Sequence, residues 1–129
     1  MAYQTTTVVR WRPWEYTDES WTRQDIAGYR IEASDGHIGK VDEATVETGG
    51  SYLIVDTGAW IFGKKVMLPA GVVSIVDHQN KRVMVNRTKD QIKGAPEFDE
   101  KLIVDDKYRD ELGSYYGESG AGWYEHKSF

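Results

Sequence analysis

The sequence predicts a mainly all-β fold with short helices near its C-terminal end. The composition is rich in glycine and aromatic residues, with 13 and 16 among 129, which suits short strands and tight turns. Between residues 25 and 87, short segments alternate apolar and polar side chains, and this period is typical of half-buried strands. Signals for helix initiation occur only after residue 87. The length fits a single domain.

The first strands surround a turn. YRIEA is followed by SDGH, and an Asp-Gly pair between alternating segments is a strong hairpin signal. In the next segment, IGKVDEATVE, the apolar step from Ile38 to Val41 is three residues and contains Gly39. We therefore expect a bulge or a sharp bend at Gly39, as a small barrel requires.

The remaining strands follow in order. SYLIVDTG is a more fully apolar segment, which predicts a central strand, and AWIFGKKVMLP has a bend at Gly63 and ends at Pro69. GVVSIV and RVMV flank the polar turn DHQNK. In TKDQIKGAP, Thr88 and Gln91 have the spacing of a capping box. A second short helix is predicted in DDKYRDELG, with Gly113 at its end.

The chain divides into three parts: an aromatic N-terminal arm (1–24), a β-barrel (25–96), and a short helix with a glycine-rich, aromatic tail (97–129). The arm carries four large rings within eleven residues, and each can bury roughly 150–250 Å². They pack either on the protein's own barrel or on a partner or second copy. The rings belong to Trp11, Trp14, Tyr16 and Trp21.

Charge and composition exclude several classes of protein. The net charge is −5, from 16 basic and 21 acidic residues, whereas nucleic-acid-binding domains carry a basic patch. The absence of cysteine excludes a disulfide framework, a zinc ribbon and a cysteine nucleophile. No apolar segment approaches the roughly 18 residues of a membrane span, and the N-terminus lacks the apolar core of a signal peptide. We therefore expect a cytoplasmic protein with no integral membrane segment and no nucleic-acid partner.

Residues 36–39, Gly-His-Ile-Gly, resemble a phosphate-binding loop only superficially. Such a loop leads into a helix whose N-terminus faces the anion, but the residues after Gly39 alternate as a strand. The histidines lack the spacing of a zinc site, and no serine has a nucleophile motif around it. The sequence therefore predicts no catalytic, cofactor or metal site, and not an enzyme, unless carboxylates converge in three dimensions.

Residues 25–96 resemble the PRC-barrel family, named for the cytoplasmic barrel of the photosynthetic reaction-centre H subunit. DIAGYRIEASDGHIGKVDEATVE, YLIVDTGAWIFGKKVMLPAGVVSIVD and KRVMVNRTKDQIKGAP carry the resemblance. The residues that match the family pattern are Gly28, Asp35, Gly36, Gly39, Val41, Gly63, Lys64, Leu68, Pro69, Thr88, Ile92 and Pro96.

The resemblance implies a small, strongly bent antiparallel β-barrel of the stand-alone bacterial type. Members of the family share the binding of other macromolecules and have no common catalytic motif, so no functional residues carry over. We assign turn or bend roles to Gly28, Asp35, Gly36, Gly39, Gly63 and Pro69.

The function predicted from these observations is a non-enzymatic interaction module that forms a homodimer or binds an unknown protein. An alternative is a barrel that binds a small ligand or cofactor, with aromatic residues at its mouth. An accessory role in RNA processing or ribosome assembly is a third. The candidate interface anchors are Trp11, Trp14, Tyr16, Trp21, Trp60 and Phe62, of which the last two also suit a barrel core.

Overall fold

The computed structural model describes residues 11–18, 24–47, 49–58, 60 and 64–117. Within them the chain forms six strands and two α-helices. The strands are β1 (Arg30–Ala33), β2 (Gly36–Ala44), β3 (Tyr52–Asp56), β4 (Lys65–Pro69), β5 (Val73–Asp77) and β6 (Arg82–Val85). The helices are α1 (Lys89–Lys93) and α2 (Asp106–Tyr116), and 3-10 turns span Ala70–Val72 and Glu100–Val104.

The strands form a single sheet in the order β4-β3-β2-β1-β6-β5. The neighbours pair antiparallel except β1 and β6, which run parallel with Arg30 opposite Arg82. In the described residues β4 and β5 are the two edges of this sheet, and it does not close into a barrel. The predicted strand-rich fold with short helices is therefore confirmed, whereas the predicted antiparallel β-barrel differs from the structure in two respects, the open sheet and the parallel pairing of β1 with β6.

The connection from β4 to β5 forms backbone hydrogen bonds to three other segments of the chain. Ala70 N–H donates to the carbonyl of Ser51, and Gly71 N–H donates to the carbonyl of Pro13. The carbonyl of Val72 accepts from Asn86 N–H. The connection therefore binds the arm, the start of β3 and the end of β6.

The predicted hairpin between β1 and β2 is confirmed, as is the irregularity at Gly39. The pairing register shifts between Ile31 and Glu32, which face Gly39 and His37. Gly39 has φ +151°, and a Cβ atom there would lie 2.1 Å from the carbonyl oxygen of Asp56. Only glycine allows β2 to bend this close to the end of β3.

One hydrophobic core joins the three parts that the sequence separates. The sheet contributes Ile31, Ile38, Leu53, Val55, Leu68 and Val83, all fully buried. The residues before β1 and the two helices add Tyr16, Ile26, Ile92, Tyr108, Leu112 and Tyr116 to the same cluster. The arm and the C-terminal helix thus complete the core that the sheet begins.

The first helix begins as predicted and the second ends later than predicted. Thr88 caps α1 in a complete capping box with Gln91, and Lys89 N–H also donates to the Asp35 carboxylate at 2.8 Å. In contrast, α2 continues past Gly113 to Tyr116. A Cβ atom on Gly113 would lie 3.0 Å from the Pro13 ring, so this glycine admits the arm rather than ending the helix.

Candidate functional site

Trp11, one of the predicted interface anchors, lies in a slot on the protein's own surface. Its indole nitrogen donates to the Gly113 carbonyl oxygen at 2.8 Å. A Cβ atom would lie 3.1 Å from the Trp11 ring if placed on Gly71 and 2.7 Å if placed on Gly117. The guanidinium of Arg87 lies 5.1 Å from the ring centroid, within the range of a cation–π contact.

Trp14 packs against Arg109 of α2. The Arg109 guanidinium lies 4.4 Å from the Trp14 ring and 5.2 Å from the Tyr52 ring, and it donates to the Gly50 carbonyl at 2.8 Å. The Trp14 carbonyl accepts from Ser51 N–H at 2.9 Å. Arg109 therefore ties the arm, the β2–β3 turn and β3 to α2.

Tyr16 is only 7% exposed. Its hydroxyl donates to the Thr45 carbonyl at 2.6 Å, and burial raises the pKa of this phenol well above its ordinary value. Of the two alternatives for the arm, packing on the protein's own body is what the structure shows for Trp11, Trp14 and Tyr16. A role for these rings between chains stays a prediction, restricted to the exposed parts of the two half-buried tryptophans.

The other predicted positions are scattered. Trp60 is half-buried, with the Lys89 ammonium 5.5 Å from its ring centroid. Gly28, Asp35 and Gly36 lie in turns or at the start of β2, and Pro69 ends β4. Trp21, Phe62 and Gly63 lie outside the described residues.

Strands β5 and β6 share an exposed apolar pair that the sequence analysis does not predict. Ile75 is 54% exposed, its cross-strand partner Met84 on β6 is 42% exposed, and both lie on the outer face of the sheet. Asp77 and Arg82 form the next pair on the same face. The alternation in RVMV places Met84 outside and the two valines inside, so this pattern could have revealed the pair.

A cleft of about 260 Å³ lies between β4 and the segment from α1 to residue 98. Its apolar lining consists of Val66, Met67, Ile92, Ala95, Pro96 and Phe98, together with Tyr116 of α2. Lys64, Lys65, Lys93 and Glu97 complete it. The sequence gives no local signal for this cleft, because residues more than 50 positions apart form it.

The ionic groups at the cleft interact with one another and with β2. Lys64 donates to the Glu97 carboxylate, and this bond lowers the pKa of Glu97. Lys65 donates to Asp42 at 2.9 Å, which raises the pKa of Lys65.

Within the described ranges no three histidine or carboxylate side chains come together as a metal site would need. In the same ranges no helix is long and apolar enough to cross a membrane.

Comparison with known proteins identifies the fold family. The model of the PRC-barrel domain matches residues 22–92, more than half of the chain. Among solved structures, a putative 16S ribosomal RNA processing protein, RimM, from Pseudomonas aeruginosa matches with a TM-score of 0.43 and 16% identity. That match covers 50% of this chain and 42% of the other. No curated protein matches this chain.

Proposed function

Because this chain belongs to the PRC-barrel domain family, we propose that it is a non-enzymatic interaction module. It binds a second protein chain along strand β5, and the simplest partner is a second copy of itself. The observation that carries this proposal is the exposed Ile75 on the edge strand β5, paired with the exposed Met84 on the neighbouring β6.

The edge of β5 is suited to pairing with another strand. One side of β5 pairs with β6, and in the described part of the chain the other side pairs with no strand. Proteins commonly protect such an edge with lysine or proline, but residues 74–76 are Ser, Ile and Val. Among the described residues, the Thr17 hydroxyl donates to the Val73 carbonyl at the beginning of the strand, at 3.2 Å, and the pairing of β5 with β6 shifts its register between Val73 and Ile75.

The charge distribution favours antiparallel pairing of two copies. In a parallel arrangement the two Asp77 side chains would be neighbours, and like charges in neighbouring strand positions are destabilising. An antiparallel arrangement about a two-fold axis near Ile75 separates them and brings together the uncharged centres of the strands. It also extends one sheet across both copies, in which Ile75 of each copy lies at the new contact and Met84 lies one strand further from it.

The dimer is expected to be weak and dependent on concentration. Strand β5 has five residues, so the contact is smaller than the roughly 1,600 Å² of a standard stable interface. Native mass spectrometry from roughly 1 to 100 µM tests this. We expect the dimer fraction to increase with concentration in the wild-type protein.

Two substitutions make the experiment specific. Ile75→Lys places a charge at the centre of the contact and should shift the protein to monomer at every concentration. Val46→Lys is the matched control, because Val46 is a β-branched residue of similar exposure, 52%, outside strand β5. A wild-type protein that stays monomeric throughout, or an equal dimer fraction in the two variants, contradicts the proposal.

A further inference from the structure

One row of side chains on the outer face of the sheet is charged in all six strands. Each member lies directly opposite the next in the register of the strands. Ile31 and Val83, which follow two of these residues in their strands, are fully buried, so the row points away from the core. From β4 to β5 the row consists of Lys65, Asp56, Lys40, Arg30, Arg82 and Asp77.

The middle of this row brings three cations together. Lys40, Arg30 and Arg82 are all exposed and occupy neighbouring positions on β2, β1 and β6. Adjacent strands are about 4.8 Å apart, and like charges directly opposite each other are destabilising. Acids outnumber bases in the chain, 21 to 16, so three adjacent cations do not follow from its composition. An anion on this strip would relieve their repulsion.

The carboxylates at the two sides of the strip are engaged by their own turns. Asp77 accepts hydrogen bonds from the Asn80 side chain at 2.8 Å and the Asn80 N–H at 3.1 Å. Asp56 accepts from the backbone N–H two residues later, at 2.9 Å. In the described part of the chain no ion pair engages Lys40 or Arg82. The cations therefore lack compensation from within the protein.

Arg30, the central cation, keeps its terminal nitrogens available. Its Nε lies 3.6 Å from the Glu32 carboxylate, and the same carboxylate oxygen lies only 2.8 Å from Nδ1 of His37. Among the described residues no hydrogen bond engages the two terminal nitrogens of Arg30. The planar fork of a guanidinium matches the oxygens of a phosphoryl group, with which it forms paired, charge-assisted hydrogen bonds.

A fourth cation stands beside the row in a strained conformation. Lys81 directly precedes Arg82 and has φ +54°, and its carbonyl accepts from Arg30 N–H at 3.0 Å. The left-handed conformation costs a side-chain-bearing residue roughly 1–2 kcal/mol, whereas glycine adopts it readily. The turn thus has a lysine at a position that glycine would occupy without strain.

Acidic residues border the strip and limit the size of the anion that it suits. Asp56 and Asp77 flank it across the strands, and Glu32 and Asp42 follow Arg30 and Lys40 at a distance of two residues in their strands. The three cations span two strand spacings, about 10 Å. A long polyanion would bring further negative charges beside these carboxylates. The strip therefore suits a compact anion of high charge, such as a diphosphate group.

We propose that the outer face of β2, β1 and β6 binds a small molecule through a diphosphate group. Arg30 donates to both phosphoryl groups, Arg82 binds one of them, and Lys40 binds the other. The proposed dimer uses Ile75 and the backbone edge of β5, whereas this site uses side chains on the face of the three central strands. The two proposals are therefore independent.

Pyrophosphate, without divalent cations and at constant low ionic strength, is the first probe. Its titration into the full chain is followed by NMR shifts of the backbone amides of Lys40, Arg30 and Arg82. We expect saturable shifts with a Kd of about 1 mM, and weaker binding as salt is added. Sulfate, which is compact but carries less charge, should bind at least fivefold more weakly.

ADP and AMP test whether the diphosphate belongs to a nucleotide. They differ by one phosphoryl group, and we expect ADP to bind at least fivefold more tightly than AMP. ADP that binds more tightly than pyrophosphate would identify a nucleotide as the source of the diphosphate. ADP that binds more weakly than pyrophosphate, but still more tightly than AMP, would identify free pyrophosphate.

Two variants remove single cations of the strip. Arg82→Gln and Lys40→Gln should each weaken pyrophosphate about fivefold, the typical effect of one hydrogen bond. Arg12→Gln is the matched control, because the Arg12 side chain is 66% exposed, lies outside the row and carries the same charge. Removing Arg82 also relieves repulsion with Arg30, so the variant stays folded, which urea denaturation verifies.

Four outcomes would overturn the proposal. The first is an absence of saturable shifts up to about 20 mM pyrophosphate, well above the expected Kd. The second is equal affinity for pyrophosphate and sulfate, or for ADP and AMP. The third is an equal effect of Arg82→Gln and Arg12→Gln. The fourth is tighter binding of a single-stranded decanucleotide than of pyrophosphate, which would indicate an extended nucleic acid rather than a compact anion.

Discussion

The indole nitrogen of Trp11 donates a hydrogen bond of 2.8 Å to the carbonyl oxygen of Gly113, which is 102 residues further along the chain. Gly71 and Gly117 leave room for the ring, since a Cβ atom on either would approach it to 3.1 Å or less. This contact connects the arm, the β4–β5 connection and α2. The arm is therefore a structural part of the fold.

Replacing Trp11 with phenylalanine should destabilise the protein within a single chain. The variant loses the hydrogen bond to Gly113 and leaves a small void between Gly71 and Gly117. We expect the free energy of unfolding to fall by about 2 kcal/mol, measured by urea denaturation. Because the contact is intramolecular, the loss should not change with protein concentration.

The Trp60→Phe variant is the control for the loss of a tryptophan ring. Trp60 is half-buried, and the Lys89 ammonium lies 5.5 Å from its ring centroid. Its replacement should therefore lower the free energy of unfolding by less than Trp11→Phe does. If Trp11→Phe left stability unchanged but altered the mass of the protein in solution, Trp11 would act between chains, and the intramolecular interpretation would be wrong.

Gly39→Ala should be among the most destabilising single substitutions in the sheet. The added Cβ atom would lie 2.1 Å from the Asp56 carbonyl oxygen, and φ is +151°. Strand β3 would have to move, and we expect the free energy of unfolding to fall by about 3 kcal/mol or more. Thermal and urea denaturation both measure this loss.

Gly49→Ala separates backbone strain from the steric clash. Gly49 has φ +70°, and a Cβ atom there has nothing within 4 Å, so only strain of about 1 kcal/mol is expected. Equal losses in the two variants would show that the approach of β2 to β3 does not constrain Gly39.

The parts of this fold that could be predicted from the sequence are those encoded locally. The turn at Asp35–Gly36 and the capping box of Thr88 and Gln91 each depend on residues within a few positions of one another. The parallel pairing of β1 with β6 and the docking of the arm depend on contacts between distant segments. Gly113 is an example of a position that the local sequence does not decide. The residues around it do not distinguish a glycine that ends a helix from one that leaves room for Pro13.

The candidate sites follow the same division. The sequence predicts the large rings of the arm as interface anchors. In the structure Trp11 and Trp14 contact Gly113 and Arg109 of the same chain, which are distant from them in sequence. The position of β5 at an edge of the sheet follows only from the strand order, whereas the alternation in RVMV already places Met84 on the outer face. The cleft beside β4 depends on how α2 and the segment after α1 pack, and no local pattern shows it.

Arg109→Lys should weaken the attachment of α2 to the arm. The planar guanidinium lies over the rings of Trp14 and Tyr52 and donates to the Gly50 carbonyl. A lysine ammonium cannot both stack on these rings and donate to the same carbonyl. We therefore expect the free energy of unfolding to fall by about 1–2 kcal/mol.

The control for Arg109→Lys is Arg12→Lys. The Arg12 side chain is 66% exposed and pairs with Glu15 at 3.6 Å on the surface, so its replacement should change stability by less than about 0.5 kcal/mol. Near-ultraviolet circular dichroism should show an altered tryptophan signal in Arg109→Lys alone. Indistinguishable spectra and stabilities would mean that the stacked arginine does not hold the arm.

Buried tyrosines should make the protein sensitive to alkaline pH. Burial raises the pKa of Tyr108 to about 12 from its ordinary value of 10.0, and it also raises the pKa values of Tyr16 and Tyr116. Between these values the unfolded chain loses its phenolic protons while the folded chain keeps them, so fewer protons are bound in the unfolded state. The free energy of unfolding is therefore unaffected by these groups below about pH 10 and falls as the pH rises toward 12.

The Tyr108→Phe variant tests this dependence, because it removes one of these phenols and retains the ring. Loss of the hydrogen bond to the Pro96 carbonyl lowers stability by a similar amount at every pH at which the tyrosine is neutral. The distinctive result is a smaller decrease in stability between about pH 9 and about pH 11 than in the wild-type protein. Lysines that titrate over the same range are common to both proteins and cancel in the comparison. Equal decreases would show that Tyr108 ionises as easily in the folded chain as in the unfolded one, which its burial should prevent.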